Sequence, residues 1–217
     1  MGKSSLTFLS FIIISSTIYS QNLGFGLSGR LYPKISDNKI FHNKYFETQF
    51  YNHISSGLFI SYRFSKSSPT IFSLKYSYGQ KNLNEPQGYI TSSTTKYINF
   101  YTIELSILYG IKLAKDLRLK AGIMPGLYYA MLEDKRYTEK KYRGDKFSIS
   151  PVAALSFTVF EKIDLDFSAI YSIEKIKVPV DEFSSGIPGQ WINSNDFDEY
   201  DFKGFNFRLE VTYWIDM

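Results

Sequence analysis

From Gly204 to Met217 the large apolar residues Phe205, Phe207, Leu209, Val211, Tyr213, Ile215 and Met217 all fall on one parity. Asn206, Arg208, Glu210, Thr212, Trp214 and Asp216 fall on the other. Strict period-two alternation is a β-strand with two unlike faces, and about nine to eleven residues let a tilted strand cross a bilayer. The pattern recurs in seven earlier stretches: 22–32, 54–64, 70–79, 97–111, 117–131, 147–160 and 163–176. The segments between them alternate long, short, long, short. The long ones are 33–53, 80–96, 132–146 and 177–203; the short ones are 65–69, 112–116 and 161–162. Tight turns on one side and longer loops on the other are what an up-and-down barrel in an outer membrane requires. The expected fold is all-β: an eight-stranded antiparallel up-and-down transmembrane β-barrel, with both termini in the periplasm.

Lys3 and the short apolar run Leu6 to Ile14 form a secretory signal, with small residues following to Ser20. The run is too short for a membrane helix and suits a cleaved export segment. The expected division is a signal peptide over 1–20 and a barrel domain over 21–217, located in the cell outer membrane. Aromatics are abundant, with 18 Tyr and 19 Phe, as in strands that meet a lipid interface. The net charge of +4, with both signs scattered, gives no basis for nucleic-acid binding. The chain has no cysteine, which excludes thiol chemistry and disulfides.

One parity of the strands is free of formal charge in their central parts, as a lipid-facing surface must be. The other carries Arg30, Arg63, Lys75, Glu104, Arg118, Lys120, Asp164, Asp166, Glu174, Arg208 and Glu210. An eight-stranded barrel is only wide enough for its own side chains, so these charges are expected to pair and plug the interior. Small residues on the same parity, such as Gly24, Gly26, Gly122 and Gly126, suit a crowded interior. A soluble barrel with its apolar face inward and a small-solute channel are the alternatives.

Candidates for chemistry are few. His42 and His53 lie in the first long segment with Glu47, Ser55 and Ser56 nearby, and acyl transfer would need a His beside a Ser and a carboxylate. Asp196, Asp198 and Asp201 are the metal candidates, in a run without the spacing of a calcium loop. Trp191, Phe183, Tyr200 and Phe202 would form an exposed adhesive surface or pack on the rim. No cofactor is expected. Pro125 and Pro151 sit on the lipid parity of the fifth and sixth strands. Proline cannot donate to a ladder, so two together predict either bulges or a lateral seam between those strands.

The eight strands together resemble the small outer-membrane barrels of the OmpA/OmpX type, and the outer-membrane β-barrel domains common in Bacteroidetes. The Ser20–Gln21 junction is similar to export signals typical of the latter. The resemblance implies a monomer in contact with outer-membrane lipid and lipopolysaccharide. It also implies recognition of the C-terminal strand by the barrel-assembly machinery, although the terminal Met217 is apolar where such families place an aromatic. The role it implies is structural or surface-interacting; a lipid A acyl-modifying enzyme is the alternative.

Overall fold

The computed structural model describes residues 22–41, 44–65, 67–83, 96–134, 140–179 and 197–216. The expected signal peptide, His42, Phe183, Trp191, Asp196 and Met217 lie outside the described residues. The described chain is antiparallel strand throughout: β1 (Asn22–Phe41), β2 (Lys44–Arg63), β3 (Thr70–Leu83), β4 (Lys96–Ala114), β5 (Leu117–Asp134), β6 (Lys140–Phe160), β7 (Ile163–Ser172), β8 (Lys175–Pro179), β9 (Phe197–Asp201) and β10 (Gly204–Asp216). Each strand pairs with its chain neighbour from β1 to β7, β7 pairs with β10, and β10 closes on β1 from Asn22↔Asp216 to Leu31↔Phe207. β8 continues β7 past Ile173 and Glu174, and β9 runs into β10 past Phe202 and Lys203. The ten strands therefore make eight staves of a closed barrel.

The staves are longer than the alternating runs alone suggest. The stretch 33–53, expected as a loop, is instead a hairpin in which β1 and β2 stay paired out to Phe41↔Lys44. Pro33 and Asn52 interrupt that ladder; Asn52 adopts φ 54°, a left-handed conformation that Asn tolerates. The inward parity shifts by one there, so Tyr32 and Ile35 both face inward. That shift hides the strand from a simple alternation count. The segment 177–203, also expected as a loop, contains the paired strands β8 and β9.

The two ends of the barrel differ. The end bearing the termini has tight connections, Lys115–Asp116 and Glu161–Lys162. Near it the outward face carries Tyr62, Phe64, Phe72, Tyr109, Phe157 and Tyr213. A second aromatic ring lies toward the distal end, where Tyr78 meets Tyr101 at a tilt at 5.1 Å and Tyr171 meets Phe205 edge-on at 5.2 Å. Between the rings the outward residues are apolar and exposed, among them Leu27, Leu58, Ile60, Leu74, Leu105, Ile123, Leu155 and Leu209. An apolar band between two aromatic girdles is the exterior of a transmembrane barrel.

Beyond the distal girdle the polarity inverts. The outward residues become Lys34, Arg143, Asp145, Lys175, Lys177 and Lys203, all exposed. The inward ones become Tyr32, Ile35, Ile98, Phe100, Tyr128, Leu132, Ile176, Val178, Tyr200 and Phe202, packed as one buried apolar cluster. Phe202 stands edge-on to Phe100 at 4.9 Å and to Tyr32 at 5.4 Å. This part of the barrel has the apolar interior and charged exterior typical of a soluble protein. Tyr200 and Phe202, expected at an adhesive surface or on the rim, are inside it.

Candidate functional site

The polar centre of the barrel is built by the alternation itself. Residues facing away from the apolar band must face inward, and a narrow barrel brings them together from opposite walls. Arg30 of β1 donates from Nη1 to Glu104 Oε1 of β4 at 2.6 Å and from Nη2 to Ser172 Oγ at 2.7 Å. Arg208 of β10 donates to the second oxygen of Glu104 and to Glu210 Oε1 at 3.4 Å. Lys75 of β3 closes the chain on Glu210. Tyr128 adds a hydrogen bond to Glu104 Oε1 at 2.9 Å. Glu104 is fully buried, between two guanidinium groups from the other side of the lumen.

Two further groups lie toward the terminal end. Lys120 donates to both oxygens of Asp166, at 3.0 and 2.8 Å. Asp164 accepts from Thr158 Oγ1 at 2.7 Å and from Trp214 Nε1 at 2.8 Å, and Arg63 stacks on the Trp214 ring at 3.9 Å. Among the buried described residues Arg30, Arg63, Lys75, Lys120 and Arg208 face as many carboxylates: Glu104, Asp164, Asp166, Glu174 and Glu210. Of the charged positions expected inside, Arg118 is the exception. It is only half-buried, because it sits one residue from the turn at the terminal end.

Large inward side chains are accommodated by glycine on the facing strand. The Phe59 ring lies over Gly26, where a Cβ would come within 2.1 Å of Phe59 Cζ. Lys75 Nζ lies over the same ring, 4.7 Å from its centroid. One wall of the interior is apolar instead: Leu108, Met124, Val152 and Ile170 form a second buried cluster.

The expected candidates on β2 divide between its two faces, His53 and Ser55 inward and Ser56 outward. His53 is in β2 and faces inward, 5.3 Å from the Phe100 ring and 5.8 Å from the Tyr32 ring. Its Nε2 has no hydrogen-bond partner, nor has Ser55 Oγ. Ser56 points outward on the exposed face. No His–Ser–carboxylate relay is assembled among the described residues. Asp201 is engaged by Lys175 at 2.9 Å, and Lys175 also reaches Glu199 at 3.3 Å. Donating a hydrogen bond to the Asp201 carboxylate raises the Lys175 pKa above its ordinary value. No group of three His, Cys, Asp or Glu able to hold a metal is present among the described residues.

Pro125 and Pro151 are diagonal neighbours, but the seam is not between their strands. The β5–β6 ladder is unbroken, with Pro125 opposite Ile149 and Ile123 opposite Pro151. The interruptions lie on the other side of each proline. The β4–β5 ladder skips from Glu104↔Gly126 to Ile107↔Ile123 without changing register, leaving Pro125 unpaired on that side. The β6–β7 ladder ends at Val152↔Ile170, one residue short of Pro151. Adjacent residues of a strand direct their N–H groups to opposite neighbours, so the side facing the missing donor was not readable from the two positions alone.

No protein-family model matches the chain, and no curated protein sequence does. Among solved structures the chain is similar to the outer membrane protein OprG from Pseudomonas aeruginosa, with a TM-score of 0.58 and 11% identity over 92% of this chain and 97% of that one. It is also similar to Neisserial surface protein A, with a TM-score of 0.48 and 12% identity over 87% of this chain and 96% of that one. The fold is that of the small eight-stranded outer-membrane barrels.

Proposed function

We propose that the protein is an integral outer-membrane barrel whose interior is plugged, and that its role is structural or surface-interacting through the extensions beyond the distal girdle. The inversion of polarity at that girdle carries this reading. Below it, apolar side chains face outward and paired charges face inward; above it, charges face outward and an apolar core faces inward. Such a change of solvent along one barrel fits a membrane boundary. The crossing Arg30–Glu104–Arg208 contacts and the apolar cluster above them support a plug in two layers. In this reading the terminal end faces the periplasm, the signal peptide is removed near Ser20, and the distal end contacts lipopolysaccharide and the medium. The C-terminal strand is what the assembly machinery reads, and the protein is a monomer.

The absence of cysteine makes the test direct. Lys177→Cys at the distal end should react with a membrane-impermeant maleimide on intact cells. Lys112→Cys, exposed at the terminal end, should react only after the cells are opened. Labelling in the opposite sense would overturn the orientation, and labelling of neither in membranes would overturn the exposure of both ends.

A further inference from the structure

We infer that the gap between β6 and the β7–β8 stave binds the neutral, hydroxylated head group of a membrane amphiphile. Continued in register, the β6–β7 ladder would set Ser150 against Ser172 and Ser148 against Glu174. It stops instead at Val152↔Ile170. Past that point β6 is laddered only to β5 and β8 only to β9. The backbones meet again farther out, where a Cβ on Gly144 would lie 2.1 Å from the Lys177 carbonyl oxygen. Between these two closures the wall is unzipped over Ser148–Ser150 and Ser172–Glu174. Pro151 fixes where the opening starts, because it has no N–H to offer β7.

Behind the gap stands unsatisfied polar chemistry. Glu174 is 1% exposed; its Oε1 accepts from Ser150 Oγ at 2.6 Å, and its Oε2 has no hydrogen-bond partner. Ser148 Oγ, buried on the same face of β6, has none either. Leaving such groups unpaired is costly, and native structures rarely do so without a reason. In front of the gap are Ile149 and Ile173, which face outward and are exposed at the level of the distal girdle. An acyl chain lying on them would bring its head group to Glu174 and Ser148.

The charges choose the head group. The free carboxylate oxygen needs a donor, which excludes a phosphate. Arg30 couples electrostatically to Glu174, so an ammonium would sit beside a guanidinium. A hydroxyl satisfies both orphans, since it donates to Glu174 and exchanges a hydrogen bond with Ser148.

Decyl maltoside is a suitable probe, titrated into isotope-labelled protein held in dodecylphosphocholine micelles. Saturable amide shifts confined to 147–151 and 171–175 are expected, and Glu174→Ala should weaken the affinity about tenfold, as for one hydrogen bond to a charged group. Phe147→Cys/Lys175→Cys, at exposed outward positions across the gap, provides a second measurement that leaves the interior, Ile149 and Ile173 intact. The free dithiol form should bind, and the form bridged across the gap by a short bismaleimide should not. Shifts spread evenly around the outward face, unchanged affinity in folded Glu174→Ala, or equal binding by the bridged form would each overturn the site.

Discussion

Glu104 concentrates the energetics of the interior. It holds Arg30 and Arg208 from the opposite wall and accepts from Tyr128, with no exposure to solvent. Removing one member of such a buried group leaves its partners charged and unsolvated, which costs about 3–5 kcal/mol. Glu104→Ala should therefore lower the unfolding free energy in detergent or lipid by about that amount, measured by urea titration. A loss under about 1 kcal/mol would mean that water already solvates the network. The identity of the interior charges was legible in the sequence because alternation assigns each residue a face. Their pairing was not, because it depends on which staves stand across the lumen. The Arg30–Glu104 contact joins residues 74 apart in sequence, and nothing in the local pattern of either strand announces the other.

At the scale of the strand, the same outward parity changes meaning along its length. Leu105 lies mid-band on β4 and is exposed to the outside. Leu105→Arg should cost about 2–4 kcal/mol, as a cation does at the midplane of a barrel's lipid face. Met131, outward on β5 beyond Tyr129, is in the region where the neighbouring strand β6 already carries Arg143 and Asp145. Met131→Arg should cost no more than about 1 kcal/mol. Similar losses in the two variants, measured by the same titration, would refute a membrane boundary at the distal girdle. The strand cores were readable from the sequence because lipid outside and charge inside give opposite signals at successive residues. The extensions were not, for a physical reason: with water outside, Lys175, Ile176, Lys177 and Val178 still alternate, but the apolar residues have moved to the inward face. From 177 onward such a run reads as a polar loop when the apolar parity is assumed to face out.

The ladder interruptions belong to this scale too. Amides of β5 and β6 directed at each other should be strongly protected from hydrogen exchange, since the ladder between those two strands is continuous. Alternate β6 amides distal to Pro151, directed at β8, should exchange much faster. Uniform protection along β6 would remove the gap.

For the whole molecule, a plugged barrel and a channel make opposite predictions. Purified protein in planar bilayers should show no stepwise conductance, because the Glu104 and Glu210 networks cross the lumen and the Phe100–Phe202 cluster lies above them. Reproducible steps would sink the plug. The closure of the sheet was the part of the fold most legible from sequence. An even number of alternating runs with short turns on one side permits few other arrangements, and β1 pairs with β10 over ten consecutive residues of β1. The core of the extensions and the split between β6 and β8 arise only after closure, when staves of unequal length must fit around one circumference. The central claim, a closed barrel embedded in the outer membrane, is tested most directly by electrophoresis of the outer-membrane fraction with and without boiling. The unboiled protein should migrate faster than the boiled protein, as a detergent-resistant barrel does. Identical mobility, with the protein recovered in the soluble fraction, would contradict the account.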